Sequence, residues 1–340
     1  MRRLRQNGAF RRLVRETTLG VDDLLQPFFV VPGHGIKEEI SSIPGNYHLS
    51  IDCLVEEVKK AQALGLSAIL LFGVPDESEK NYEASGAYSS HGIVQEAVRA
   101  LKSNVPDILV TTDVCLCEYT PHSHCGVMRD GYLVNDENLE LLAKTTISHA
   151  EAGADMVAPA AMLDGQIGVM RQALDSNDFQ NVAIMAYSAK FASKLYEPFF
   201  KEGTQSALAS GNKKTHQMPF YNSDEAMREI ALDIEEGADI VMVKPALFYL
   251  DIVYRAKKEF QMPMAVYNVS GEYAMIDAAA RMGRLDKDKI MFEALACMKR
   301  AGADVIITYA AMKVAESLRG KQVSVEEEAI PDPAMVAGGV

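Results

Sequence analysis

Residues 237–245 read Gly-Ala-Asp-Ile-Val-Met-Val-Lys-Pro, and this stretch joins an apolar strand to a lysine. The run Ile240–Val243 predicts a short strand covered on both faces, as in a parallel sheet between helices. Lys244 then either reaches bulk solvent or opens into a cavity, where burial lowers the pKa of its ammonium group. Because a partly neutral lysine attacks carbonyl groups, Lys244 is a candidate Schiff-base residue.

Short apolar runs of this kind recur along the chain and alternate with stretches of helical period. The eight predicted strands are Pro27–Val31, Ala68–Phe72, Ile108–Thr112, Asp155–Ala158, Val182–Ala186, Asp239–Val243, Met264–Val269 and Asp304–Thr308. The predicted helices include Ile51–Leu64, His91–Ser103, Glu137–Ala152, Asp224–Glu236, Leu250–Phe260 and Asp286–Arg300. A Gly-Ala-Asp triplet joins helix to strand at 153–155, 237–239 and 302–304, as a weak internal repeat. Eight such units predict a TIM (β/α)8 barrel, with a doubly wound sheet as the alternative.

The composition is that of a globular protein with one large domain. The chain has 340 residues, of which 48% are hydrophobic and 24% charged, so it can bury a substantial core. We expect a barrel domain over residues 26–330, preceded by an N-terminal arm over residues 1–25. The net charge of −13 argues against nucleic acid or an anionic membrane as a partner. The longest apolar runs are shorter than the roughly 18 residues of a membrane span.

The start of the chain is basic but lacks the apolar core of a signal peptide. We therefore expect a cytoplasmic protein whose arm extends from the barrel and offers arginines to acidic patches of another subunit. A cleaved organellar transit peptide is the alternative.

A second signal is a cysteine-rich loop that follows the third predicted strand. Cys115, Cys117 and Cys125 have the spacing C-x-C-x7-C. Three thiolates from one loop can bind Zn²⁺ and leave a fourth position open, as catalytic zinc sites do. Two alternatives remain open: a metal-free thiol cluster, and a closed structural site completed by His122, His124 or Asp113. An odd total of five cysteines argues against a secreted disulfide framework.

Polar residues also stand at the carboxyl ends of the predicted strands, where barrel enzymes carry their active sites. These residues are Asp113, Lys190, Lys244, Ser270 and Tyr309. Any barrel strand can end in a polar residue, but two lysines on one face are less expected. Two ammonium groups in one pocket repel each other, which lowers the pKa of both.

The chain resembles the porphobilinogen synthase family, also called the 5-aminolevulinate dehydratase family, nearly end to end. The motifs that carry the resemblance are Arg2–Arg5, Leu13–Thr17, the cysteine loop, Tyr187–Ser193, Met242–Pro245, Tyr267–Met275 and Ile306–Tyr309. Members of this family are TIM barrels whose N-terminal arm wraps a neighbouring subunit, and they commonly form homo-octamers. The resemblance implies that two 5-aminolevulinate molecules condense to porphobilinogen with loss of two waters, an early step of tetrapyrrole and haem synthesis.

The resemblance also implies roles for the residues of the barrel's active-site face. Lys244 matches the lysine that forms a Schiff base with the ketone of the first substrate, and Lys190 matches the second Schiff-base lysine. Ser270 and Tyr309 match the hydroxyl pair that binds the first substrate's carboxylate.

The metal residues follow from the same resemblance. Cys115, Cys117 and Cys125 match zinc ligands that hold the second substrate's amine, and Asp113 matches an acidic residue beside that metal. Glu229 matches a position that binds an allosteric Mg²⁺ in many relatives; an ordinary solvated carboxylate is the alternative.

Departures from the family pattern fall on the half of the site that handles the second substrate. Phe200, followed by Lys201, stands where relatives carry one arginine of a carboxylate clamp, and Lys213 stands at the other. Ala160, Ala161 and Gln166 also replace more polar or bulkier residues. Lys201, Lys213 and Gln217, in a lid over residues 191–217, are the remaining candidates to bind the second substrate.

Three hypotheses follow from these departures. The first is an authentic synthase with a remodelled second-substrate site. The second is a paralogue that condenses 5-aminolevulinate, or a similar aminoketone, with a partner lacking the carboxylate. The third is a non-catalytic zinc- or ligand-binding homologue.

Overall fold

Eight parallel strands close into a barrel in the computed structural model, which describes residues 2–196, 200, 202–209 and 211–323. The strands are β1 (Leu24–Val30), β2 (Ala68–Gly73), β3 (Leu109–Val114), β4 (Met156–Pro159), β5 (Ala183–Lys190), β6 (Ile240–Lys244), β7 (Met264–Asn268) and β8 (Val305–Thr308). Each strand pairs in parallel with its neighbours in chain order. Pairing of Leu24 with Ile306 joins β1 to β8 and closes the sheet. The prediction of a TIM barrel is therefore confirmed, and the doubly wound alternative, an open sheet, is wrong.

The described chain has ten α-helices, of which α1 lies in the N-terminal segment and the others cover the outside of the barrel. They are α1 (Gly8–Leu13), α2 (Ile51–Ala63), α3 (Ile93–Asn104), α4 (Asn135–Ala152), α5 (Gln166–Ser176), α6 (Ser223–Glu235), α7 (Leu250–Phe260), α8 (Ser270–Arg281), α9 (Lys287–Ala301) and α10 (Ala311–Val323). Six of them match predicted helices within a few residues. None of the described helices is both long and apolar enough to cross a membrane.

The Gly-Ala-Asp repeat has a structural explanation at the amino ends of the strands. Asp155, Asp239 and Asp304 each accept a hydrogen bond of 2.8 Å from a backbone N–H of the preceding barrel strand, at Val110, Ile184 and Met264. The preceding glycine has positive φ in all three copies, as the end of a helix often requires. The repeat therefore ties neighbouring strands together at the end of the barrel opposite the strand-end lysines.

The N-terminal segment makes few contacts with the barrel. None of residues 2–20 is buried, and α1 packs mainly against the short helical turn Arg2–Arg5. Its apolar side chains Leu4, Phe10, Leu13 and Val14 are exposed. The barrel itself begins at Leu24, two residues before the predicted boundary.

Candidate active site

A central cavity opens at the carboxyl ends of the barrel strands and collects most of the predicted site residues. Its wall includes Asp113, Cys115, Cys117, Lys190, Lys213, Lys244, Ser270 and Tyr309, together with Phe29, Phe72, Glu118, Ala160, Tyr196, Phe200 and Tyr267. These side chains come from β1, β2, β3, β5, β6 and β7 and from the segments that follow the strands. They meet because parallel barrel strands all point their carboxyl ends to the same face.

Lys244 is the last residue of β6 and is buried, with 8% of its surface exposed. Its Nζ lies 4.3 Å from the centre of the Tyr267 ring and 4.9 Å from that of Tyr187. Desolvation, and then the charge of Lys190, lowers the pKa of Lys244 to about 7. Lys244 therefore opens into the cavity and not into bulk solvent, and a lysine with a lowered pKa is suited to nucleophilic attack on a carbonyl group.

Lys190 ends the neighbouring strand β5 and pairs with Lys244 in the sheet register. Its Nζ donates a short hydrogen bond to the backbone carbonyl of Ala160 and lies 5.5 Å from the centre of the Tyr187 ring. Tyr187 is fully buried, so one aromatic ring lies beside both lysines. The faces of aromatic rings attract cations, so the Tyr187 ring partly offsets the cost of placing two lysine side chains in one pocket.

Asp113, near the end of β3, interacts electrostatically with both lysines. Desolvation, and then the neighbouring Glu118 carboxylate, raises the pKa of Asp113 to about 7, although both lysines oppose this rise. A carboxyl group with a pKa near neutrality can both accept and donate a proton at physiological pH.

The opposite wall of the cavity carries the predicted hydroxyl pair. Ser270 begins α8 directly after β7, and Tyr309 follows β8. The hydroxyl of Tyr309 lies 3.0 Å from the hydroxyl of Tyr267, whose ring faces Lys244. These hydroxyls therefore present hydrogen-bond donors near the nucleophilic lysine.

The three cysteines of the loop after β3 form a compact, buried cluster. Their Sγ atoms all lie within 4.8 Å of one another, and those of Cys115 and Cys117 are 3.3 Å apart. Sulfur ligands about 2.3 Å from a tetrahedral Zn²⁺ stand about 3.8 Å apart, so the cluster fits such an ion. Hydrogen bonds from the thiols of Cys115 and Cys117 lower the pKa of Cys125 well below its usual range. In the part of the chain that the structure describes, only these three residues form such a group.

Glu118 is a buried residue of this cluster that the sequence analysis did not single out. Its carboxylate accepts from the Cys117 thiol, with both oxygens 3.1 Å from Sγ, and it lines the cavity. Desolvation raises the pKa of Glu118, and the positive charge of Lys213 opposes that rise. The spacing of the cysteines identified the loop as a candidate metal site. Nothing in the sequence distinguished Glu118, which lies between Cys117 and Cys125, from an ordinary glutamate.

The lid contributes an aromatic side chain and a cation to the cavity. Phe200 lines the cavity, and its ring packs edge-on against Tyr196 with 5.5 Å between centres. The Nζ of Lys213 lies 4.3 Å from the centre of the Phe200 ring, in a side chain that is 6% exposed. Phe200 therefore faces the cavity, and Lys213 is its third lysine.

Other predicted residues lie outside the cavity wall. Gln217 accepts a hydrogen bond of 3.0 Å from the Tyr196 hydroxyl. Gln166, the first residue of α5, accepts a hydrogen bond from the Leu163 N–H in the preceding turn. Glu229 lies on α6, remote from the cysteines, where desolvation and the carboxylate of Asp164 raise its pKa. Ala161 is buried without lining the cavity. Lys201 lies outside the described residues.

The chain matches the family model described as delta-aminolevulinic acid dehydratase over residues 1–317. It is 50% identical over 322 residues to the delta-aminolevulinic acid dehydratase of Synechocystis sp., which covers 94% of this chain and 98% of the relative. The protein of the same name from Methanothermus sociabilis is 52% identical over 318 residues, with 94% and 98% covered.

Solved structures show the same similarity. Delta-aminolevulinic acid dehydratase (porphobilinogen synthase) from Toxoplasma gondii, in complex with the reaction product porphobilinogen, superposes with a TM-score of 0.92 at 40% identity. That match covers 96% of this chain and 94% of the other. An aldolase, QR15, matches with a TM-score of 0.51 at 12% identity, which supports the barrel fold alone.

Proposed function

The chain belongs to the delta-aminolevulinic acid dehydratase family, whose reaction condenses two molecules of 5-aminolevulinate to porphobilinogen, and we propose that Lys244 and Lys190 form the Schiff bases of this reaction. The observation that carries the assignment is the pair itself: two buried lysines in register at the ends of β5 and β6, in one cavity. A structural role would not require two ammonium groups to share a pocket, where they repel each other.

The proposed first step is the attack of neutral Lys244 on the C4 ketone of the first substrate. The amine nitrogen bonds to the carbonyl carbon, a carbinolamine forms, and water leaves to give an iminium ion. Asp113, which interacts electrostatically with Lys244, is the proposed donor of the proton that the departing hydroxyl requires. Ser270 and Tyr309 donate hydrogen bonds to the substrate's carboxylate and fix its position relative to Lys244.

The second substrate is proposed to react with Lys190 in the same way. Its Schiff base makes the neighbouring carbon acidic, and loss of a proton there provides the carbon nucleophile for the new carbon–carbon bond. Lys213, the remaining lysine of the cavity, is the candidate to bind the second carboxylate. Its pKa is above the usual range through the cysteine and Glu118 charges, although burial opposes the rise, so it stays protonated.

The cysteine cluster is proposed to bind Zn²⁺ through Cys115, Cys117 and Cys125. A bound zinc ion would hold the second substrate's amine, lower its pKa and so keep it neutral during the condensation. The three-thiol donor set supports zinc over Mg²⁺, which prefers oxygen ligands. A Mg²⁺ ion beside Glu229 remains a separate prediction.

The proposed chemistry is tested by incubation of the zinc-loaded protein with 5-aminolevulinate, followed by borohydride reduction, peptide mapping and a colour assay for pyrrole. We expect a reduced adduct on Lys244 together with pyrrole in the supernatant. Pyrrole formation without any lysine adduct would contradict the assigned residues. An adduct without pyrrole would favour a paralogue with another second substrate.

The contact between Phe200 and Lys213 supports that second candidate function. A phenyl ring covers the ammonium group from which a carboxylate would accept hydrogen bonds, and a ring offers no donor. This half of the cavity therefore also suits an aminoketone without a carboxylate, such as aminoacetone. The family assignment stays the same under this alternative, and only the second substrate differs.

We predict that Phe200→Arg lowers the Michaelis constant for 5-aminolevulinate. The guanidinium group would add a bidentate partner for the second carboxylate, and a charged hydrogen bond contributes about 1.5–3 kcal/mol. We therefore expect the Michaelis constant to fall about tenfold or more in steady-state pyrrole assays. Phe200→Leu is the matched control, because it changes the ring without adding charge. If both variants behave alike, the second carboxylate does not lie beside residue 200.

The N-terminal arm is proposed to hold an oligomer, with the octamer of the family as the expected state. Residues 1–20 carry six arginines and one glutamate, a net charge of +5, so residues 21–340 carry −18 of the total of −13. The arm's exposed apolar side chains lack a covering surface within the described chain. The acidic barrel of a neighbouring subunit would attract the arginines of the arm and bury its apolar side chains.

Deletion of residues 2–20 is therefore expected to reduce the assembly to smaller species. Light scattering coupled to size exclusion would measure the mass, with the full-length chain as reference. Simultaneous Arg11→Gln and Arg12→Gln keeps the helix and removes two charges, and we expect it to make the assembly more sensitive to salt. An unchanged mass after the deletion would show that the arm does not hold the oligomer.

A further inference from the structure

A chain of hydrogen-bonded, buried polar side chains adjoins residues of the first-substrate half of the cavity. It consists of Glu272, Asn268 and Thr308, each with 0% of its surface exposed. None of the three lines the cavity. The mechanism described above therefore does not use them, although each is close in sequence to a residue that it does use.

Glu272, in the first turn of α8, joins the segments that follow β6 and β7. One carboxylate oxygen accepts from the backbone N–H of Leu247 at 2.7 Å, three residues after Lys244. The other accepts from the backbone N–H of Val269 at 3.0 Å, directly before Ser270. One carboxylate thus fixes the backbone on both sides of the cavity wall that holds the nucleophile and the hydroxyl of Ser270.

Asn268 and Thr308 extend this link to β8. The side-chain amide of Asn268 donates to Glu272 at 3.0 Å, and its carbonyl accepts from the Thr308 hydroxyl at 2.9 Å. The Thr308 hydroxyl in turn accepts from the N–H of Ala310 at 3.2 Å. Thr308 and Ala310 flank Tyr309. The last hydrogen bond of this series therefore joins the residues on either side of Tyr309.

The cost of burying this carboxylate supports a specific role. Desolvation raises the pKa of Glu272 to about 7, while the hydrogen bonds from Leu247, Asn268 and Val269 oppose the rise. A buried acceptor is tolerated only where donors satisfy it. Here the donors come from two strand ends, and an apolar residue would leave the backbone N–H groups without partners.

We propose that Glu272, Asn268 and Thr308 act as a positioning chain that holds Lys244, Ser270 and Tyr309 in register for the first substrate. The inference rests on the proposed function, because it presupposes that those three residues bind and trap that substrate. The chain fixes the ends of β6, β7 and β8 relative to one another. Positioning within a fraction of an ångström matters for attack on a carbonyl group.

Single-turnover borohydride trapping on the full-length protein tests the proposal, with the adduct on Lys244 quantified by peptide mass. In Glu272→Gln an amide NH₂ group replaces one of the two carboxylate oxygens. That NH₂ group then faces the backbone N–H of Leu247 or Val269, so one hydrogen bond is lost. We expect the 5-aminolevulinate concentration for half-maximal trapping to rise about 10- to 100-fold. Asp304→Asn is the matched control, because it alters a carboxylate that bonds the other end of β7. It should lower the melting temperature and leave the trapping curve of the folded protein unchanged.

A second pair of variants keeps the test decisive if Glu272→Gln folds poorly. Thr308→Val removes the hydroxyl at nearly constant volume, while Thr308→Ser retains it. We expect the half-maximal concentration to rise about tenfold in the valine variant and to stay near wild type in the serine variant. Equal trapping curves for both would overturn the positioning role. Absence of an adduct in the wild-type protein would instead overturn the proposed function, and the positioning role with it.

Discussion

Replacement of Lys244 by methionine is expected to abolish the first covalent adduct and to reduce pyrrole formation at least about a thousandfold, as loss of a catalytic nucleophile does. Methionine has nearly the length of lysine without the amine, so it keeps the packing against Tyr187 and Tyr267. The change also removes a desolvated amine that has to share its pocket with Lys190. We therefore expect the folded protein to be at least as stable as the wild type while it loses activity.

The control for this experiment is Lys258→Met, which removes an exposed lysine on α7. That variant should retain both the adduct and full turnover. Intact mass after borohydride reduction measures the adduct, and thermal unfolding checks the fold. If Lys244→Met retains the wild-type adduct on Lys190 and the wild-type turnover, then Lys244 is not the nucleophile of the first step.

The pH dependence of trapping provides a second readout of the same residue. Lys244 attacks only when neutral, and its pKa is lowered from 10.5 to about 7. At pH 7 roughly half of the molecules then carry a neutral amine, against about 0.03% at the ordinary pKa. The initial rate of adduct formation should therefore rise with pH, reach its midpoint near 7 and level off above about 8. A rate that still rises tenfold per pH unit above 8 would mean that the lysine has an ordinary pKa.

The sequence was sufficient to predict the barrel, because strands that are buried on both faces consist of short runs of apolar residues. The sequence did not indicate where a strand ends if its last residues are polar and belong to the active site. The predicted strand Val182–Ala186 ends four residues before Lys190, since Tyr187-Ser-Ala-Lys is not an apolar run. Helices α5 and α8 begin with Gln166 and Ser270 and contain glycine near their starts, which weakens their helical pattern.

The site was predictable to the extent that its chemistry requires unusual residue types at strand ends. Two lysines and three closely spaced cysteines stand out in any sequence, and the structure gathers all but Cys125 onto the cavity wall. Glu118 and Glu272 do not stand out, because a glutamate is common and only its partners make it unusual. Those partners come from neighbouring loops in the fold, such as Leu247 for Glu272. The orientation of Phe200 toward Lys213 depended in the same way on the lid's conformation.

Removal of metal is expected to stop pyrrole formation and to leave the adduct on Lys244 in place. The cysteine cluster follows β3, whereas Lys244 ends β6, and Ser270 and Tyr309 follow β7 and β8. Different strands therefore support the two halves of the cavity. A zinc ion on the cysteines would act on the second substrate's amine, not on the first ketone. Chelation should therefore lower turnover at least about a hundredfold, and added Zn²⁺ should restore it.

Cys125→Ser is the corresponding substitution, since Cys125 is fully buried and its Sγ lies within 4.8 Å of both other Sγ atoms of the cluster. We expect it to weaken zinc binding at least about a hundredfold, and to abolish turnover while the Lys244 adduct persists. Cys53→Ser, on α2, is the control, because this partly exposed cysteine is not part of the cluster. If chelation removes the adduct together with the pyrrole, the metal is needed by the first-substrate half as well. If neither changes, the cluster holds thiols and the amine is deprotonated by another group, for which Asp113 and Glu118 are the candidates on the cavity wall.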